Sequence, residues 1–343
     1  GDKRESDKDS RDKEVREAFS LWCRAGMAGL NSEQRDIMAG REAALGDSPE
    51  ARALTTSEGA SGGFLVPEGF IAEIDKAMKS YSGVLQSRAR EIPTSTGNDL
   101  PWPTVNDTES EGEQVEENQE VSQGQPSFGQ LTMKAYEFSS KLVLVPLTLL
   151  QDSAIPIEPE LVAMFAERLG RIANRRLTLG TGANQPQGIV TASVLGKTAA
   201  GSTAITYDEL VDLQHSIDPA YRPQSEWEFN DTTLSILRKL KDSDGRPIWM
   251  PQATGSMADG APGTLLGNPY HINQHMASPA SGAKSVIFGD HSKYRIRRVR
   301  SMTVVRLAER YAEKRQVGFF AFMRMDGRMS NAGTNPIKHL IHT

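Results

Sequence analysis

Residues 106–125 read NDTESEGEQVEENQEVSQGQ. Seven carboxylates stand in this stretch without a base: Asp107, Glu109, Glu111, Glu113, Glu116, Glu117 and Glu120. From Glu91 through Met133 there is no Lys, Arg or His at all. A segment this acidic repels itself and buries too little apolar surface to fold alone. Its flanks differ: LPWPTV (100–105) and FGQLTMKAYEFSSKLVLVP (128–146) read as strands. Together they describe a long two-stranded excursion. An isolated hairpin is marginal in water, and connections beyond about 15 residues are uncommon in compact domains unless they have a task. The plain reading of the arm is a solvated loop; the alternative is that it becomes ordered on a basic surface of another chain. The sequence supplies candidates: Lys293, Arg295, Arg297, Arg298 and Arg300 crowd one predicted strand, and Arg171, Arg175 and Arg176 punctuate a predicted helix. The plain alternative for these bases is a solvated face. Exposed pairs are worth only about 0–1 kcal/mol each, so charge chooses which surfaces meet more than it sets how tightly they hold.

The 343 residues allow one large domain or two modest ones. The net charge of −5 argues against a polyanion-binding chain. Cys23 is the single cysteine, which excludes an intrachain disulfide and any cysteine-rich metal site. No apolar run approaches the roughly 20 residues that span a bilayer, so no membrane partner is expected.

Residues 1–12 are nearly all charged or small and are expected to be disordered unless a partner orders them. In KEVREAFSLWCRA (13–25), Val15, Phe19 and Trp22 recur at helical spacing and Gly26 stops the pattern. Such a helix cannot bury its own stripe and must dock on the body or on another chain. Residues 46–63 read as a linker. GGFLVPEGF (62–70) is a turn entering a short helix whose inner face is Ile71, Ile74 and Met78. EPELVAMFAERLGRIANRRLT (158–178) is the clearest helix: Pro159 sits in its first turn, and Leu161, Phe165, Leu169 and Ile172 form its stripe. About 20 residues make a rod of roughly 30 Å. GTGANQPQG (180–188) ends it as a loop. Thr206 and Glu209 fit a capping box, SEWEFN (225–230) is a strand, and Asn230 or Asp231 caps a further helix. DSDGRPIW (242–249) is a turn, and KSVIFGD (284–290), YRIRRV (294–299), MTVVRL (302–307) and QVGFFAFMRM (316–325) are strands. The class is α+β.

No catalytic constellation emerges. The 180–188 loop lacks the Lys of a P-loop and follows its helix, whereas a dinucleotide loop precedes one. His271 and His275 stand four apart in HINQH, but Ile272 holds the place where a zinc hydrolase needs Glu. Pro269 upstream argues for an extended segment, which makes these structural histidines. There is no GxSxG elbow, and the acidic arm lacks the EF-hand pattern. No catalytic residue, cofactor or metal is expected.

The order of the pieces carries more than any one of them. GGFLVPEGF, the long arm, VPLTLLQDS (145–153), the long helix ending in NRRLTLGTGANQPQGI (174–189), EFNDTTLSILRKLKDSDGRPIW (228–249), LLGNPYHIN (265–273) and IFGDHSKYRIRRVRSMTVVRLAERYAEKRQVGFFAFMRMDGRM (287–329) follow one another. This succession resembles the major capsid protein of tailed bacteriophages, the Hong Kong 97-type fold. The resemblance implies an N-terminal arm (1–60), the start of a peripheral domain (61–95), an extended loop (96–140), the peripheral domain with its spine helix (141–203), an axial domain (204–298) and return strands of the peripheral domain (299–343). It implies a structural protein that assembles with itself into pentamers and hexamers of an icosahedral head around double-stranded DNA, which it touches weakly and nonspecifically. Further partners would be a decoration or cement protein, a portal, and a scaffold or protease during assembly in the host cytoplasm; the finished location is the virion. A start at Gly1 is compatible with removal of a scaffolding segment. The runner-up is an encapsulin-like compartment, disfavoured by the helix and linker at 1–60; a hydrolase built on His271 and His275 is the remaining class.

One departure matters. Some members of that family weld subunits through a Lys of the extended loop and an Asn of the peripheral domain, assisted by a Glu. Here no Lys lies between Lys79 and Lys134, no Asn lies from 301 to 330, and Phe322 or its neighbours fall where the acid would be. No covalent crosslink is expected.

Overall fold

The computed structural model describes residues 2–35, 63–65, 68–106, 114, 127–152, 157–249, 263–300, 302–330 and 335–343. The chain divides into two compact units: residues 1–81, 137–173 and 299–324 form one, and residues 82–136, 174–298 and 325–343 form the other.

In the first unit, α1 (Asp2–Ala25) runs well ahead of the predicted start at residue 13. The expectation of disorder for 1–12 is corrected. That run has no Gly or Pro after Gly1, so the helix anchored further along can propagate back through it. The anchor is apolar. Val15, Ala18, Phe19, Trp22 and Cys23 are buried, and the Phe19 ring meets Phe70 edge-on at 5.0 Å. Phe70, Ile74 and Met78 form the buried face of α2 (Glu68–Ser80). Arg16 straps the two helices through Glu73 at 2.9 Å and reaches Glu158 at 3.0 Å. At its far end α1 closes on Gly26, whose φ of +69° suits glycine and whose N–H donates to Trp22 O at 2.8 Å. Arg306 Nε donates to Cys23 O, one of the carbonyls the helix leaves open. The helix thus docks on the body of its own chain.

The sheet of this unit is built round β14 (Gln316–Met329). β13 (Thr303–Leu307) pairs with it antiparallel, Thr303 opposite Phe322, and β1 (Gly63–Leu65) adds to β13. β5 (Tyr136–Ser139) and β6 (Val143–Pro146) also pair with β14, Gln316 standing opposite Pro146. The short α4 (Leu147–Asp152) follows β6. The long α5 (Ile157–Leu179) matches its expected span, with Leu161, Phe165 and Leu169 buried in this unit. Its C-terminal turns, like the C-terminal half of β14, belong to the second unit.

The second unit contains a six-stranded sheet in the order β7 (Val194–Ala199), β15 (Ile337–His342), β11 (Lys284–Gly289), β8 (Glu226–Phe229), β10 (Asn268–Ile272), β9 (Thr264–Leu265). One face is apolar: Trp227, Phe229, Val286, Phe288 and Leu340 pack with Leu210 and Leu213 of α7 (Tyr207–His215) and Leu234 and Leu237 of α8 (Asp231–Arg238). The predicted capping box at Thr206 and Glu209 is formed, and Asn230 caps α8 by accepting from Thr232 N. The short α3 (Gly83–Gln86) and α6 (Ile189–Ala192) lead into β2 (Arg90–Thr94) and β7. β12 (Tyr294–Val299) pairs with the C-terminal half of β14, and β2 lies beyond β12.

Strand membership differs from expectation in three places. β15 was assigned to return strands with β13 and β14, and β7 to the same domain, yet both lie in the six-stranded sheet. β12 was placed in the axial segment but pairs with β14. An apolar run reveals that it is a strand; it does not reveal which distant strand will accept its hydrogen bonds.

Candidate assembly interface

β3 (Leu100–Asn106) and β4 (Ser127–Met133) form the expected hairpin, antiparallel from Leu100 opposite Met133 to Asn106 opposite Ser127. Alternation gives the ribbon two faces. Leu100, Trp102, Leu131 and Met133 share one, and Met133 is fully buried. Pro101, Pro103, Phe128 and Gln130 share the other and are all exposed, Phe128 to 78%. Pro101 and Pro103 cannot donate to a further strand, which is tolerable on a two-stranded ribbon where both strands are edges.

The root of the hairpin is tied down by arginine. The Arg295 guanidinium lies over the Trp102 ring at 4.4 Å. Arg297 is only 1% exposed. Its Nη1 donates to Met133 O at 2.9 Å, its Nη2 to Thr96 O at 2.8 Å and its Nε to Thr94 Oγ1 at 3.2 Å. Opposite it in the ladder, Asp326 accepts from Lys134 N at 2.7 Å. Burial pushes the Asp326 carboxyl above the usual carboxylate range, against the pull of Lys134 N–H and Arg328.

The bases foreseen as one docking strip are therefore dispersed. Strand alternation puts Arg295 and Arg297 on one face of β12 and Arg298 on the other. Arg297 is spent inside its own chain. Arg298 is partly buried, which pulls its pKa down to about 10. Lys293 stands 5.6 Å from the Tyr221 ring centre, and Arg300 is exposed. On α5, Arg171 pairs with Glu167 at 2.8 Å, Arg175 is exposed, and Arg176 donates to Gln185 of the 180–188 loop. The seven acidic residues Asp107, Glu109, Glu111, Glu113, Glu116, Glu117 and Glu120 lie outside the described residues.

The sequence reading missed a buried polar layer on the second face of the six-stranded sheet. Glu226 and Glu228 of β8 point away from Trp227 and Phe229 and are still buried. Glu226 pairs with Arg88 at 2.9 Å and with His271 at 3.3 Å. Burial opposes its ionisation, but the hydrogen bond from His271, the charge of His291 and the Arg88 N–H outweigh that and hold its pKa low. Glu228 takes Asn273 Nδ2 at 2.7 Å and stands 3.3 Å from His291 Nε2. Asn273 also donates to Thr178, accepts from Asn174, and Asn174 accepts from Ser82. This chain of bonds joins β8 to the last turns of α5. The signal was visible as acids alternating with aromatics in SEWEFN, but alternation is ordinarily read as one wet face.

His271 is on β10, extended as Pro269 implied. Among the described residues no three metal-ligating side chains come together, and no helix is long and apolar enough to cross a membrane. Cys23 is buried on α1, and burial, then Glu158, pushes its thiol far above the usual range, which disfavours the thiolate.

The arrangement described is one of packing and an exposed ribbon. No curated protein matches the chain. Among solved structures, one described as "Capsid of native GTA particle computed with C5 symmetry" is 25% identical, with a TM-score of 0.65 over 76% of this chain and 90% of that one. A Microbacterium phage Oxtober96 chain is similar in fold at 18% identity, TM-score 0.58, covering 76% of this chain and 91% of its own. A Mycobacterium phage Cain chain is similar at 16% identity, TM-score 0.56, covering 76% and 90%. The model of the phage capsid family matches residues 62–340. With the Hong Kong 97-type α+β fold in place and most of its length matched, the chain belongs to the phage capsid family and is a major capsid protein, a structural component of the virion shell.

Proposed function

We propose that this subunit assembles with copies of itself through heterologous contacts into pentamers and hexamers of an icosahedral head that encloses double-stranded DNA. In a heterologous contact one surface meets a different surface of the next copy, and rings close when the rotation allows. The carrying observation is the hairpin: a paired ribbon whose outer face leaves Phe128 78% exposed beside Pro101 and Pro103. An apolar face this open, on an element too small to be stable alone, is what a neighbouring surface covers.

In this reading residues 96–140 are the extended loop, 1–60 the N-terminal arm, and α5 the spine of a peripheral domain. The sheet containing β8 and β11 is the core of the axial domain, whose tips meet at the ring centres. The acidic segment 106–125 lies on basic side chains of the adjacent copy. The chain performs no catalysis and needs no cofactor. Assembly takes place in the host cytoplasm with a portal and a scaffold or protease, DNA is held only by weak nonspecific contact, and a decoration or cement protein binds the finished shell.

Charge reversal tests it. The combined variant Glu113→Lys, Glu116→Lys, Glu117→Lys, Glu120→Lys should leave a folded subunit that forms no shells in negative-stain micrographs. Normal angular shells from this variant would refute the docking of the acidic segment.

A further inference from the structure

Arg295 and Arg328 are direct partners in the β12–β14 ladder, so two guanidinium groups stand side by side on one face of the sheet. Like charges in that position oppose each other. A third is close by: after burial, it is the charge of Arg90 on β2 that holds Arg295 below the usual arginine range. Arg90 itself is exposed. The cluster sits on a built floor and wall. The Trp102 ring lies under Arg295 at 4.4 Å, and Gly182 O of the 180–188 loop accepts from Arg328 Nη2 at 3.3 Å.

Counter-charge is short. Asp326 accepts from Lys134 N at 2.7 Å and Gly327 N at 2.8 Å, and stands 3.7 Å from Arg328 Nε. Nε and Nη1 of Arg295 and Nε of Arg328 are buried with no hydrogen-bond partner. Ionised donors withdrawn from water without acceptors are unfavourable, and a guanidinium fork fits a carboxylate with two parallel bonds.

We propose that Arg90, Arg295 and Arg328 form a carboxylate-binding site that a second copy of this chain completes with its acidic segment 106–125. The inference rests on the shell reading above and deepens it, by naming where that segment lands. Of the bases marked from sequence only Arg295 belongs to the site; Arg90 and Arg328 become visible once the strands are paired. The occupant follows from charge: seven carboxylates without a base meet three guanidinium groups, two of which, Arg295 and Arg328, keep buried donors without a hydrogen-bond acceptor. Nucleic-acid phosphate offers similar oxygens, and the test separates the two sources.

The test is a titration of the full chain, kept dilute and unassembled, with a synthetic NDTESEGEQVEENQEVSQGQ peptide. Tryptophan fluorescence, read in a Trp249→Phe background, reports it, because Trp102 lies against Arg295 while Trp22 and Trp227 are buried. Saturable binding is expected, weakened about tenfold by Arg90→Gln and by Arg328→Gln, and lost when the peptide's glutamates are changed to glutamine. Arg90 is exposed, so its variant decides the matter even where Arg328→Gln fails to fold. No binding to the unaltered chain, or equal binding to Arg90→Gln, overturns the proposal. So does binding of a thymidine strand of about 20 nucleotides in place of the peptide, which would make this a phosphate site. The two readings fail separately: shells that form without peptide binding sink the site alone, and peptide binding without shells sinks the assembly reading.

Discussion

His291 Nε2 stands 3.3 Å from a Glu228 carboxylate oxygen, and neither side chain has any exposure. Burial opposes the charge on His291, but the hydrogen bond and charge of Glu228, with Glu226 behind, outweigh it and raise the histidine's pKa. A raised histidine contributes stability that is complete below its unfolded value and lost as pH climbs through the folded one. Glu226, held low, contributes above its unfolded value and loses that contribution as pH falls through the folded one. Both contributions are therefore full between about pH 4.3 and about pH 6.5. His291→Gln should cost about 3 kcal/mol in that window, because it leaves Glu228 buried without its charged partner, with Asn273 still donating to it. The deficit should shrink toward pH 9. Urea unfolding of the two proteins across that range checks it; parallel stability curves would show that His291 is neutral throughout.

Arg297 gives a second prediction, because burial and docking make opposite forecasts for it. Three of its donors serve acceptors at the hairpin root, Met133 O, Thr96 O and Thr94 Oγ1. Arg297→Met strands those acceptors and should destabilise the isolated subunit by about 3 kcal/mol. Arg300→Met, on an exposed side chain, should stay within about 0.5 kcal/mol of the parent. Chemical denaturation of unassembled subunits separates the cases. Equal, small effects would return Arg297 to the surface.

That contrast marks how far the sequence could be read. Helices announced themselves locally: the Thr206–Glu209 box, Pro159 in the first turn of α5 and Gly26 at the end of α1 are each decided by a few neighbouring residues. The hairpin was legible because its two flanks are apolar and its middle is not. Arg297 was misread because YRIRRV shows a crowd of bases but not which face of the strand is covered. That depends on Thr94, Thr96 and Met133, each more than 160 positions away. Shorter separations were enough to hide Arg328 behind Arg295, and Glu228 behind His291 and Asn273, which lie 63 and 45 positions from it. Sheet membership of β15 and β7 failed for this reason too: pairing partners are a property of the closed fold.

The docking of α1 is testable through its aromatic anchor. Phe19 is fully buried between Trp22, at 5.5 Å, and Phe70, at 5.0 Å. Phe19→Ala should cost about 3–5 kcal/mol and free α1 from α2 before the rest of the chain unfolds. Limited proteolysis should then cut within residues 13–25 while the fragment beyond residue 68 survives. Cleavage no faster than in the parent would mean that the strap of Arg16 to Glu73 and Glu158 holds the helix without its ring.

The last prediction concerns what holds neighbouring subunits together. A Lys–Asn weld needs an amine on the extended loop, a carboxamide facing it and an acid to move protons in a dry site. The one Lys of the loop's hairpin region is Lys134, at its root, where its backbone N donates to Asp326; residues 96–133 carry none, and the stretch GFFAFMRM (318–325) of β14 carries neither Asn nor a carboxylate. Phe320 and Phe322 stack edge-on at 5.1 Å there, so the strand offers aromatic packing where an acid would be required. Particles boiled in detergent should therefore run as the 37.5 kDa monomer. A ladder of covalent multimers resistant to reductant would show that another pair of side chains does the welding. Without it, shell cohesion rests on burial of faces such as that of Phe128, and Phe128→Ser should lower the melting temperature of assembled particles while leaving that of the free subunit unchanged.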